Sequence, residues 1–236
     1  MKIKKIKKYK NKYKLFIDDD LELLVYENVL IELNILKTRK IDTDFLNNII
    51  YLNNFYEGYY NSIKLLLKNY SSFEIRKYLL DNYSNNVEKI YKKLLDNNLI
   101  NDYNVSYNIL NKYQDSKGYY FIKNKLEEKN IDNKIIDEVL KNFNSNNDYI
   151  NKYIKKELIN YKGSFKKNIL RIKNNLFNKG FNQEDINKYL NNYQKDSKIE
   201  LNNLKKDYLK YKNKNNLINY LYSKGYDLED ITKIIK

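Results

Sequence analysis

The sequence predicts an all-α chain of tandem three-helix repeats forming an elongated, curved string, with a small N-terminal β-hairpin. Three observations predict it. A helix stop and start, NLFNKGFNQEDINKYL from Asn175 to Leu190, recurs twice elsewhere in the same register. Apolar residues fall at helical spacing from Thr43 onward. Alternation of lysine with apolar residues, the period of a strand, is confined to the start of the chain.

The N-terminal stretch YKNKYKLFI, Tyr9 to Ile17, alternates in this way and is followed by the turn-forming run Asp18, Asp19, Asp20 and then by LELLVYE. This predicts a β-hairpin. A two-stranded ribbon is marginal alone, so it should pack on a helix that starts near Asn28, giving a unit over residues 1–42. Its simplest role is a small structural ornament. A sharper one is a basic ribbon that touches DNA, with Lys4, Lys5, Lys7, Lys8, Lys10 and Lys12 as the nucleic-acid-binding candidates.

Residues 43–101 form a first helical repeat with a preceding helix. Phe45, Ile49, Leu52, Tyr56, Tyr59 and Ile63 share one face of that helix, and Gly58 within it predicts a break or a close packing contact. Ser71 or Ser72 is placed to cap the next helix and Asn82 to end it. Three-helix repeats are then expected at 102–144, 145–193 and 194–236. Their first helices are expected over Asp102 to Ser116, Tyr149 to Tyr161 and Ser197 to Tyr211, with Asp102 as a cap and Lys117 and Gly118 closing the first of them. Short polar linkers fall at Asn142–Asn147 and Asn191–Lys195.

The repeated joint explains the second and third helices of each module. Gly180 enters the left-handed conformation freely and ends the helix carrying Ile172 and Leu176. Asn182 caps the next helix, and Phe181 with Ile186 has the spacing of a hydrophobic staple. Gly225, Tyr226, Asp227 and Ile231 hold the matching places near the C-terminus, and Asn130, Ile131, Asp132 and Ile136 hold them in the second module, asparagine being the usual substitute in a left-handed cap.

Composition excludes several chemistries. Among 236 residues there is no cysteine and no histidine, so a disulfide framework, a thiolate nucleophile, a histidine triad and the ordinary zinc sites are absent. The five glycines form no phosphate loop. The acid pairs Glu184/Asp185 and Glu229/Asp230 lie in first turns, where carboxylates complement the helix dipole. No metal or cofactor is expected, nor a membrane span or leader, and the default compartment is the cytoplasm.

The formal charge is +15, yet lysine, asparagine, isoleucine and tyrosine dominate while alanine, proline and tryptophan are missing, the bias of an AT-rich genome. Eight lysines and no acid fall within Met1 to Lys14, leaving about +7 for the rest. The 26 tyrosines recur mostly at helical spacing and fit core or boundary positions. A helix-turn-helix reading the major groove is disfavoured, because the second helix of each pair opens with acids. Lys129, Lys179 and Lys224 each stand one residue before a turn. They either compensate a helix C-terminus or form a spaced row of positive charge.

On these residues the sequence resembles the RecX family of recombination regulators. The segment NLIND (Asn98 to Asp102), Lys117 with Gly118, Ile122, Leu126 and KNI (Lys129 to Ile131) resemble the family's central motif, and KGF (Lys179 to Phe181) with the following acids resembles its third-repeat motif. Two departures stand out. Tyr70 and Ser71 precede Glu74 where basic residues and threonine are usual, leaving Lys68 and Arg76 as the basic candidates, and Asn130 replaces a glycine.

The resemblance implies a protein that binds RecA recombinase filaments along their groove and limits filament growth, ATP hydrolysis and strand exchange, with weak, salt-dependent contact to single- or double-stranded DNA. The ordered repeats and missing catalytic residue types make it non-enzymatic, and a monomer is expected, with a dimer left open. Its implied partner-binding residues are Lys68, Arg76, Lys117, Lys123, Lys129, Lys179 and Lys224. The alternative is a general DNA-binding helical-repeat protein that acts through the lysine-rich N-terminus without a recombinase partner, and a third possibility is a structural scaffold.

Overall fold

The computed structural model describes residues 1–18, 20–144 and 146–235. Asp19 of the acidic turn, Ser145 of the linker Asn142–Asn147 and Lys236 of the last repeat lie outside the described residues. The chain is mostly helical behind a small antiparallel sheet. It divides into two compact units, Met1–Ser106 with Lys129–Asp132, and Tyr107–Glu128 with Asn133–Lys236.

The first unit opens with three strands rather than two: β1 (Ile3–Tyr9), β2 (Lys12–Ile17) and β3 (Leu21–Val25), in the order β1-β2-β3. The expected hairpin is β2 with β3. The lysine-rich N-terminus forms the edge strand β1, in which Ile3 is buried and Ile6 packs against the core beside Leu15 and Leu23. Its start is pinned by reciprocal bonds, Ile41 N–H to the Met1 carbonyl and the Met1 ammonium to the Ile41 carbonyl, both 2.9 Å.

The buried face of the sheet meets α1 (Glu27–Glu32) and α2 (Thr43–Leu66) in a core of Leu15, Ile17, Val25, Val29, Ile35, Ile49 and Tyr56. Asp42 caps α2 by accepting from the Phe45 N–H at 2.7 Å. Gly58 does not break this helix. It is the close packing contact instead, for a Cβ there would lie 2.6 Å from the Ile90 side chain and 3.0 Å from the Tyr83 ring.

Two further helices, α3 (Ser72–Asn82) and α4 (Val87–Asp96), close over α2 around Ile75, Leu79, Ile90 and Leu94. Ser71 and Glu74 form a full capping box at the start of α3. The next helix, α5 (Asp102–Tyr113), begins in the first unit and ends in the second. Its cap is Asn101, which accepts from the Asn104 N–H at 3.0 Å. Asp102, expected in that role, turns its carboxylate to Ser72 instead.

The second unit carries α6 (Tyr119–Glu128), α7 (Asn133–Leu140), α8 (Asn147–Leu158), α9 (Phe165–Asn178), α10 (Gln183–Leu190), α11 (Ser197–Tyr211), α12 (Leu217–Ser223) and α13 (Leu228–Ile235). The helix α8 stops at Leu158, short of Tyr161, and α5 stops at Tyr113, short of Ser116. Two cores of this unit are self-contained: Ile150, Ile154, Ile172, Leu176, Phe181 and Ile186 fill one, and Leu204, Leu221, Tyr226 and Ile231 fill another. The turns follow the expected grammar, with φ of 50° at Asn130, 83° at Gly180 and 92° at Gly225. No helix among the described residues is long and apolar enough to cross a membrane.

Candidate functional site

The three lysines before the turns are held in place by their backbones. The Lys129 carbonyl accepts from the Ser71 hydroxyl at 2.7 Å, the Lys224 carbonyl from the Ser164 hydroxyl at 2.6 Å, and the Lys179 carbonyl from the Gly118 N–H at 2.9 Å. Each donor stands immediately before the first residue of a helix, α3, α9 or α6. A helix C-terminus has carbonyls without intrahelical partners, and here one of them is satisfied by the N-terminal end of a helix from far back in the chain. The same joint therefore occurs three times.

Carboxylates reinforce two of the three. Asp102 accepts from the Ser72 N–H at 2.8 Å and from its hydroxyl at 2.5 Å. Glu200, 3% exposed, accepts from the Phe165 N–H at 2.9 Å and from the Tyr161 hydroxyl at 3.0 Å. Burial raises the Glu200 pKa above its ordinary value, while these two donors pull it back. The third joint relies on backbone alone: the Tyr120 N–H also donates to the Gly180 carbonyl at 3.1 Å. A Cβ on Gly118 would run into the Gly180 backbone, and one on Gly180 would lie 2.6 Å from the Phe121 Cβ, so both glycines serve close approach.

The lysine ammonium groups rest on tyrosine rings. Lys179 lies 5.6 Å from the ring centroids of both Tyr149 and Tyr153, Lys224 lies 5.2 Å from Tyr220, and Lys129 lies 5.6 Å from Tyr70 while pairing with Glu74 at 2.7 Å. Contact with the Tyr220 hydroxyl raises the Lys224 pKa. The remaining candidates are dispersed. Lys68 is exposed just past α2. Arg76 pairs with Glu88 at 2.5 Å, Lys123 with Glu127 at 3.8 Å, and Lys117 stands 4.4 Å from the Phe121 ring.

Lys117 and Lys179 each stand immediately before a glycine of the joint, Gly118 and Gly180. A groove of about 550 Å³ opens beside it, lined by Tyr120, Phe121, Phe177 and Phe181. Tyr120 is 53% exposed and Phe177 59%. Aromatic side chains left this open on a helix surface are the kind that anchor interfaces.

Of the acid pairs, Glu184 lies in the first turn of α10 with its N–H donated to the Asn182 side chain, and Asp230 joins Asp227 in pairing with Lys195. The two aspartates raise the Lys195 pKa. On the sheet, Lys4, Lys5, Lys7 and Lys8 ride on β1, Lys10 occupies the turn with φ of 55°, and Lys12 on β2 packs 4.2 Å from the Tyr26 ring and 3.8 Å from Glu57.

The joint residues Ser164 and Glu200 are not singled out by the sequence patterns. The one signal for Ser164 is position: it falls 60 residues before its lysine, as Ser71 falls 58 before its own.

No protein-family model matches the chain. It is 33% identical over 152 residues, 59% of its length, to the regulatory protein RecX of Lactococcus lactis subsp. cremoris SK11, and 32% identical over 154 residues to that of Lactococcus lactis subsp. lactis IL1403. The chain spans about half the length of these curated relatives, 55% and 56%. A crystal structure of regulatory protein RecX matches over 80% of this chain and 98% of its own, with a TM-score of 0.59 at 23% identity. A crystal structure of RecX from Lactobacillus salivarius matches over 60% and 97%, with a TM-score of 0.51 at 24% identity. At such identities the structural likeness concerns the fold.

Proposed function

We propose that this chain, a homologue of the RecX regulatory proteins, is a non-enzymatic regulator of a RecA-type recombinase. It binds the RecA–DNA filament along its groove and limits filament growth, ATP hydrolysis and strand exchange. The observation that carries this reading is the sequence match to regulators over 59% of the chain, and the repeated joint supplies the physical means. Modules spanning 43–101, 102–144, 145–193 and 194–236 each make a modest contact, and contacts on one chain reinforce each other through effective concentration.

Within this scheme the glycine joint is the principal contact. Tyr120 and Phe177 bury against the filament, and Lys117 and Lys179 steer toward its phosphates or acids, so binding weakens as salt rises. Lys68, Arg76, Lys123, Lys129 and Lys224 contribute at the periphery. The protein works in the cytoplasm as a monomer, with no cofactor, since no bond is made or broken.

The test is RecA-catalysed strand exchange and DNA-dependent ATP hydrolysis at low salt. Equimolar protein is expected to suppress both, and Tyr120→Ala with Phe177→Ala to relieve most of the suppression. Unchanged exchange and hydrolysis with the unaltered protein overturn the reading.

A further inference from the structure

The outward face of the N-terminal sheet carries a combination that packing does not require. In an antiparallel ladder, partners across strands share a face and alternate residues change face. Leu15, Ile17 and Val25 are buried, so the opposite face is the outer one. The register places Lys5, Lys7 and Tyr9 of β1 on it, with Lys12, Lys14 and Phe16 of β2 and Glu22 and Leu24 of β3.

An outward face needs no aromatic residues for its stability, yet it has two. Tyr9 is 49% exposed, and Phe16 is half-buried. The Lys14 ammonium sits between the rings, 5.9 Å from the Tyr9 centroid and 5.8 Å from that of Phe16. Glu22, 2.7 Å from Lys14, is the acid of the paired strand residues on this face, against Lys5, Lys7, Lys12 and Lys14. Lys8 lies on the other side, in register with Tyr13 and Val25, and Lys12, on this face opposite Tyr9, has its ammonium held at the Tyr26 ring and Glu57. The lysines of the N-terminus are therefore not equivalent.

We infer that this face binds single-stranded DNA, with Tyr9 and Phe16 each stacking a base and Lys5, Lys7 and Lys14 holding the phosphates between. Aromatic rings on an open sheet offer a stacking surface to any unpaired base, and flanking cations follow the backbone. A duplex keeps its bases paired inside the helix and gives these rings nothing to stack upon. The choice of DNA over RNA rests on the proposed recombinase function. The stacking surface itself does not, because it involves no contact with RecA.

Binding of a fluorescent oligothymidylate of about 20 nucleotides to the full chain alone, read by anisotropy, tests this directly. Tyr9→Leu and Phe16→Leu together are expected to weaken binding by roughly tenfold or more, as loss of base stacking does, while circular dichroism and melting confirm the fold. Lys7→Gln should lower the slope of log affinity against log salt by about 0.7, the single-strand value for one phosphate contact, whereas the ring variants leave that slope unchanged. Equal or tighter binding of a duplex of the same length, tighter binding of oligouridylate, or ring variants that bind as the unaltered chain does would each overturn the inference. Strand binding without any effect on RecA would leave this face standing and remove the proposed function, and the reverse result would do the opposite.

Discussion

The joint at Gly118 and the joint at Ser164 solve one problem in two ways. Both attach the start of a helix to the end of another, through the carbonyls of Lys179 and Lys224. At Ser164 a hydroxyl reaches across, so the two backbones stay a side chain apart and a buried carboxylate, Glu200, secures the adjacent N–H. At Gly118 the backbones touch directly, through the Gly118 and Tyr120 N–H groups, and a side chain has no room. A bridging side chain can relax when it is altered. Touching backbones cannot, and this difference orders the expected consequences of mutation.

Gly180→Ala should be the most damaging change. It adds a Cβ at φ 83° and drives it against the Phe121 backbone, combining left-handed strain with overpacking for a loss of about 3 kcal/mol or more. Gly118→Ala lacks the strain and should cost less, about 1–3 kcal/mol. Urea denaturation measures both. A Gly118→Ala variant as stable as the parent would show that the close approach yields easily and that the two joints are alike.

Ser164→Ala should cost about 1–2 kcal/mol, because it removes a helix cap and leaves the Lys224 carbonyl without its donor. The loss should appear as faster amide exchange in α11 to α13 before global unfolding. If exchange there is unchanged, the hydroxyl bridge is incidental and the local cores hold the fold alone.

Much of this was legible in the chain. Left-handed turns at Gly180, Gly225 and Asn130, the cap at Asn182, a cap at one of Ser71 and Ser72, and the staple of Phe181 with Ile186 all follow from neighbours in sequence, where local rules act. Strand β1 was not legible, because IKKIKKY shows charge at most positions and its two isoleucines find their place only once β2 lies beside them. The joints were hidden for a related reason. Their acceptors are carbonyls, which every residue carries, so nothing in the identity of Lys179 or Lys224 marks the bond. Asp102 misled in the same way: its type fits a cap, and only the position of Ser72 in space shows the other use.

Glu200 offers a gentler probe of the serine joint. Its pKa is raised by burial above an ordinary value near 4.5, so the folded state holds its proton more tightly than the unfolded state does. The contribution of this group to stability is therefore fully present below that ordinary value and is lost as pH rises through the folded one. Glu200→Gln removes the titration while keeping an acceptor for the Phe165 N–H. Relative to this variant, the unaltered chain should gain stability as pH falls from neutral into the carboxylate range. A difference independent of pH would mean that Glu200 is already neutralised or fully compensated by its partners.

The smallest effect on stability should come from reversing Lys129, Lys179 and Lys224 together to glutamate. Backbone carbonyls, not ammonium groups, make the joints, and a carbonyl is indifferent to the side chain beyond it. Among the described residues only Lys129 of the three gives up an ion pair, with Glu74, and at side-chain exposures of 24% and 31% such a pair contributes no more than about 1 kcal/mol. Helicity and melting should hardly change. Binding to a RecA–DNA filament, in contrast, should weaken severalfold at low salt and converge with the unaltered chain at high salt, where screening removes the difference. A collapse of the fold would place the lysine side chains in the joints. A stable fold with unaltered filament binding would reduce the three to helix-end residues whose charge serves no partner.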